Sequence, residues 1–257
     1  MQVFDTRGLS SKQENKNTPR LSLSLAQDAG EVREAQSLRY RSFVQEMGLV
    51  NLQNPEGLDA DEFDPWCDHL LVRDNQTLEV VGAYRLLSPA RARQFGRMYS
   101  ENEFDISRLS HLKPRMVEAG RACIHPDYRG GSVLMLLWQG MSEYMRRQQA
   151  EFLVGCASIS LADGGMNAAA VYRSLQAQNM APPEYRVKPH LPFPHEHLHP
   201  NAQHKVHVPP LLKGYLRAQT WVCGEPAWDP DFDCADLLML LPLRNLDARY
   251  ARHFGAL

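Results

Sequence analysis

Apolar positions recur along this chain with two different periods, and the changes of period mark its elements. "LSLSLA" (21–26) repeats every second residue and predicts a first strand. Asp28 can cap the helix that follows, in which Val32, Ala35, Leu38, Phe43 and Met47 return at roughly helical spacing. "NLQNPEGLDADEFDPWCD" (51–68) has neither period and reads as an acidic loop. "HLLVRD" and "EVVGAYRLL" predict two strands joined at Asp74, Asn75 and Gln76. Short helical pieces, including "SPARARQF", fill 88–113. Then come a strand (115–124), a helix (131–149), the strand "EFLVGCASI" and the helix "GGMNAAAVYRSLQAQ". A His- and Pro-rich loop (189–210) and a strong strand, "ADLLMLLPL" (235–243), close the pattern. Strands alternating with helices predict an α/β layered fold. Residues 1–20 read as a flexible polar tail, ahead of a single domain spanning 21–257.

Composition narrows the function classes. The chain has 257 residues, 44% hydrophobic and 23% charged, as expected of a globular protein with a substantial core. A formal net charge of -2 argues against nucleic acid as a partner. The five cysteines are scattered without a C-x-x-C pair, which fits a reducing cytosol better than a zinc ribbon or disulfide framework. The longest apolar runs, "VLMLLW" and "LLMLLPL", fall far short of the roughly 20 residues that span a bilayer. A cytoplasmic protein, at most peripheral to the inner membrane, is the expectation.

The candidate chemistry starts at "HPDYRGGSVLMLLWQGM" (125–141). A strand, a turn holding Arg129, Gly130 and Gly131, and a helix starting near Ser132 make an anion site, because the first helical N–H groups are unpaired. This stretch resembles the phosphate loop of the GNAT-type N-acyltransferases, whose fold is a mixed central sheet flanked by helices. Arg129 matches the motif's first position, while Ser132 and Leu134 stand where its small residues belong. A donor without an adenosine pyrophosphate needs only part of such a loop. The resemblance with these departures therefore implies the phosphopantetheine thioester of acyl carrier protein as donor, and no tightly bound cofactor.

A second resemblance, to acyl-homoserine-lactone synthases, rests on Arg39 and Phe43, on Glu62, Asp64 and Asp68, on Arg85, and on Glu118 with Arg121. The spacing to Asp68 is one residue longer than in those synthases. The string "LRYRSFVQEMG … EFDPWCDHLLV … VGAYRLL … VEAGRACIHPDYRGG", with "WVCGEPAWDPDFDCADLLMLLPL" and "LDARYARHFG" beyond it, resembles the bacterial ornithine-lipid N-acyltransferases, some of which carry the label hemolysin. That resemblance covers roughly residues 25–257 and includes a C-terminal extension from about 181. It implies transfer of a 3-hydroxyacyl group to the α-amine of ornithine, giving lyso-ornithine lipid. A homoserine-lactone or other N-acyl amino acid synthase is the alternative of the same class, and a membrane-active protein that of another.

Glu118 is the candidate general base, with Arg121 beside it if a bulge turns both to one side; a structural Glu–Arg pair is the bland alternative. Backbone N–H groups near Cys123 and Ile124 are candidates for stabilising the oxyanion. Glu62, Asp64 and Asp68 form a negative loop suited to a cationic amino acid. Arg85 either holds a substrate carboxylate or locks that loop, and Arg39 is a second candidate for the lock. Arg91, Arg93 and Arg97 offer a basic patch for the acidic carrier protein. No metal is expected: the histidines of 190–207 lack a completing ligand, and "DPDFDCAD" has Cys234 and Leu240 where a calcium loop needs Gly and Glu.

Overall fold

The protein is described from a computed structural model, over residues 19–49, 52–199 and 205–246. Most of the tail expected at 1–20, together with His204 and the segment from 247 onward, lies outside the described residues.

The chain opens with β1 (Leu21–Leu25) and α1 (Ala29–Tyr40). Asp28 caps α1 as expected, accepting from the Glu31 N–H at 3.0 Å. The helix runs on into one π-helical turn, Arg41–Gln45, which carries Phe43. β2 (Asp68–Asp74) and β3 (Val80–Leu87) form a hairpin, and α2 (Pro89–Phe95) follows. After β4 (Phe104–Asp105) come β5 (Met116–Ile124), α3 (Ser132–Arg147), β6 (Phe152–Ser160) and α4 (Met166–Gln176). The C-terminal part holds β7 (Lys188–Pro189), α5 (Pro210–Arg217), β8 (Trp221–Val222), β9 (Ala227–Asp229) and β10 (Cys234–Pro242).

The main sheet runs β1-β2-β3-β5-β6-β10-β8, with β9 also paired to β10. Side chains alternate across it. Leu70, Val72 and Val117 pack with Val133, Leu137 and Met141 of α3 on one face. Leu71 and Ala83 pack with Ala35 and Leu38 of α1 on the other. That second face continues through Met116, Val154 and Leu238 against Phe63, Met98 and Leu109. Every residue of β3 and β10 is buried, because both faces are covered. Each fully buried Leu there contributes about 1.5–3 kcal/mol.

Two irregularities in β5 create the space for a site. Its pairing with β6 is parallel and ends at Glu118↔Val154, although both strands continue beyond. Gly155 follows at once, where an added Cβ would collide with the Ala119 carbonyl oxygen, so β6 can pass this point only as glycine. On the other edge, Ala83 pairs with Cys123 but Arg85 pairs with Gly120. Arg121 and Ala122 therefore form a bulge, with Arg121 at φ 53°.

Candidate active site

A cavity of about 270 Å³ opens where β5 and β6 separate. Gly120, Arg121 and Ala122 of the bulge line it, with Glu118, Phe43 and Met47. A second cavity adjoins it across a shared wall of Phe63, Tyr99, Arg121, Asp229 and Phe232.

Glu118 is 4% exposed and points to the α1 face of the sheet. Its Oε2 accepts from the Tyr99 N–H at 2.6 Å, and its Oε1 from the Ser100 N–H at 2.8 Å and from the Ser100 hydroxyl. Burial raises its pKa, and the hydrogen bonds from Ser100 and Tyr99 offset this only in part. A carboxylate so placed is poised to take a proton. The bulge turns Arg121 to the same side, where its guanidinium donates to the Tyr99 hydroxyl and to Asp61 Oδ2, both at 3.3 Å. It also lies 4.6 Å from the Phe232 ring centroid.

The acidic loop divides. Asp64, 5% exposed, is the hub of a buried network. Arg39 donates to both its oxygens at 2.9 Å, Arg85 to Oδ1 at 3.0 Å, and Gln36 to Oδ2 at 3.0 Å. Burial alone would raise this carboxyl, but the hydrogen bonds and charge of Arg39, joined by Arg85, hold it below the usual carboxylate range. Arg39 also binds Asp59, and Arg85 binds Asp61. In this arrangement Arg39 and Arg85 lock the loop, and Asp64 has its charge neutralised from within. Glu62 is exposed and pairs with Arg97. Asp68 accepts from the Tyr144 hydroxyl of α3 at 2.6 Å and does not line the cavity. Arg91 and Arg93 are exposed on α2.

The phosphate-loop residues lie at the start of α3. Gly131 takes φ 99°, which favours glycine, and Ser132 begins the helix. Arg129 donates to both carboxylate oxygens of Glu46, tying the loop to the end of the first helix. Cys123 and Ile124 are paired in the sheet with Ala83 and Gly82, and the Cys123 side chain packs toward α1. The cavity lining includes Gly120, Arg121 and Ala122 and does not include Cys123 or Ile124.

Sequence reasoning missed a second group of carboxylates, Glu103, Asp229 and Asp236. Asp236 is 3% exposed and lines the first cavity, Glu103 lines the second, and Asp229 lines both. Burial, then the charge of Asp236, pushes Glu103 up to about 10. Asp236 left one signal: it is the single charge in an otherwise apolar strand. Of the loop histidines, His195 is buried against Tyr172, and the His190 ring meets the Glu101 carbonyl at 3.2 Å.

Comparison with known proteins agrees with this geometry. Residues 38–139 match the acetyltransferase (GNAT) domain. An L-ornithine N(alpha)-acyltransferase of Brucella abortus is 34% identical over 254 residues, 92% of this chain and 89% of that protein. One of Rhodobacter capsulatus is 34% identical over 249 residues, 90% and 93% of the two chains. The solved structure of a CoA-dependent acyl-homoserine lactone synthase, BjaI, with MTA aligns with TM-score 0.51 at 16% identity, over 88% of this chain and 83% of that one, a likeness of fold alone. The chain thus carries a GNAT domain, and 34% identity over about nine-tenths of its length places it in the L-ornithine N(alpha)-acyltransferase family.

Proposed function

We propose that this protein transfers a 3-hydroxyacyl group from acyl carrier protein to the α-amine of L-ornithine, forming lyso-ornithine lipid. The observation that carries the reading is the extent of the family match, 34% identity over 92% of this chain and 89% of that protein. The thioester enters where β5 and β6 separate. Glu118, directly or through a water, takes a proton from the α-ammonium. The neutral amine attacks the thioester carbon, and backbone N–H groups of the bulge stabilise the oxyanion. The C–N bond forms as the C–S bond breaks, and the second proton of the attacking nitrogen passes to the departing pantetheine thiolate, so that an amide and a thiol leave. Arg121, which lines both cavities and also pairs with Asp59 and Asp61, is the cation that holds the acceptor's carboxylate in this reading.

A loop with Ser132 in place of the motif's first glycine and Leu134 in place of its second small residue supports a donor lacking the adenosine pyrophosphate. Arg129 at its rim supports a single phosphodiester contact. Residues 21–257 act as one domain in this reading, with the segment from about 181 completing the acceptor side. No helix among the described residues is long and apolar enough to cross a membrane. Exposed Leu191 and Trp228, on the wall of the second cavity, support peripheral contact with the inner membrane, where an acylated product partitions.

The donor is tested by offering one 3-hydroxyacyl group, with ornithine, on carrier protein and on coenzyme A. The carrier thioester is expected to give the higher kcat/KM by at least about tenfold, a modest discrimination for a specific site. Equal or better use of the coenzyme A thioester overturns that assignment.

A further inference from the structure

We propose that Glu103, Asp229 and Asp236 form the pocket that recognises the side-chain ammonium of a diamino acid acceptor, an inference that rests on the ornithine reading above. Other acidic groups in this molecule are matched to cations: Asp59, Asp61 and Asp64 answer Arg39, Arg85 and Arg121. Among the described residues, no ion pair reaches Glu103, Asp229 or Asp236.

Both Glu103 carboxylate oxygens are enclosed, and their hydrogen-bonding neighbours are the Asp236 carboxyl and the Cys156 thiol, not a cation. Asp236, 3% exposed, is met by the Cys234 thiol at 3.7 Å, a weak donor. Asp229 uses Oδ1 to accept from the Asp231 and Phe232 N–H groups at 2.9 and 3.1 Å. Burying carboxylates without a cationic partner costs free energy, and a fold that does so beside a cavity leaves that cost for a ligand to offset. A primary ammonium fits: it brings one positive charge and three donors to three convergent carboxyl groups.

The protonation chemistry agrees. With no cation present, burial and the charges of Asp236 and Asp229 raise Glu103 to about 10, so the empty cluster holds a proton in neutral solution. An entering ammonium supplies the positive charge that the proton supplied. The placement agrees as well. Arg121 and Asp229 stand in the wall shared by the two cavities, so a carboxylate on Arg121 and an ammonium on the cluster orient one small zwitterion, whose α-amine is left to Glu118.

The test compares ornithine with norvaline, the same carbon chain without the terminal amine, using the wild type, Asp236→Asn and Glu103→Gln. The wild type is expected to prefer ornithine. Each variant should lower the ornithine-to-norvaline ratio of kcat/KM at least about tenfold, mainly through KM for ornithine. An unchanged ratio in folded variants overturns the inference. Asp236→Asn removes a buried charge and Glu103→Gln replaces a carboxyl that is already neutral, so the variants should melt no lower than the wild type; a clear fall in Tm would mean that the carboxylates hold the fold instead. A wild type that acylates both amino acids equally overturns the pocket while acyl transfer stands, whereas one that acylates neither overturns the ornithine reading itself. Asp229, Cys234 and Asp236 also present ligand atoms within 4.8 Å of one another. EDTA should leave the ratio unchanged, and a loss restored by one divalent metal would replace the ammonium site with a metal centre.

Discussion

Glu118→Gln loses acyl transfer by about 10²–10⁴-fold in kcat, the usual contribution of a positioned general base. The amide cannot take the amine's proton, so the loss falls on the chemical step and leaves KM for the donor close to that of the wild type. The substitution also has a structural cost. Tyr99 and Ser100 present three donors to the carboxylate, and an amide offers them only one oxygen. At least one buried N–H loses its partner, at about 1–3 kcal/mol, so circular dichroism and Tm must accompany the rate. A folded variant with undiminished kcat removes Glu118 as the base. The pH profile is an independent check. Glu118 titrates above the ordinary 4.5 because it is buried. The rate should therefore rise with pH through a value above 4.5, as the base ionises, and a limb at or below 4.5 would contradict the assignment.

Asp64→Ala should cost about 3–5 kcal/mol of stability in neutral solution, since it leaves two buried guanidinium groups facing an empty position. Arg39 and Arg85 are 1% and 4% exposed, so water cannot take over the role of the carboxylate. The folded-state pKa of Asp64 lies below its ordinary 3.8. Its contribution is therefore complete above 3.8 and is lost as pH falls below that value toward the folded one. Urea titrations of wild type and variant should differ most at neutral pH and converge in acid. A neutral-pH difference under about 1 kcal/mol, the range of an exposed ion pair, would mean that the network is not a buried lock.

The elements that sequence shows best are those whose pattern matches their surroundings. β10 is buried on both faces and reads as an unbroken apolar run; α3 is buried on one face and reads as a helical stripe. β8 and β9, of two and three residues, are too short to show a period, and α5 lies behind the prolines that end the long loop. Bringing Glu118 and Arg121 to one side of the sheet needed a bulge, because strand alternation puts residues three apart on opposite faces. A single residue at positive φ, Arg121, supplies it, and nothing in "VEAGRACI" marks which residue that is. The acidic loop was legible as a cluster, but its partition was not. Arg39 and Arg85 reach Asp64 across 25 and 21 positions, and Tyr144 reaches Asp68 across 76, so only the packed sheet decides which carboxylates are claimed. Asp236 was legible in principle: a charge inside a buried apolar strand needs a partner, and β9 and the Glu103 segment bring it more carboxylates rather than a cation.

In the proposed reaction an acyl thioester meets ornithine in the cavity between β5 and β6. The most direct measurement is mass spectrometry of the product formed by purified wild-type protein from 3-hydroxyacyl carrier protein and an equimolar mixture of amino acids. N-acyl-ornithine is expected as the dominant amide, with the acyl group on the α-nitrogen. A lactone formed with consumption of S-adenosylmethionine, or a dominant amide of an amino acid without a second amine, would contradict it.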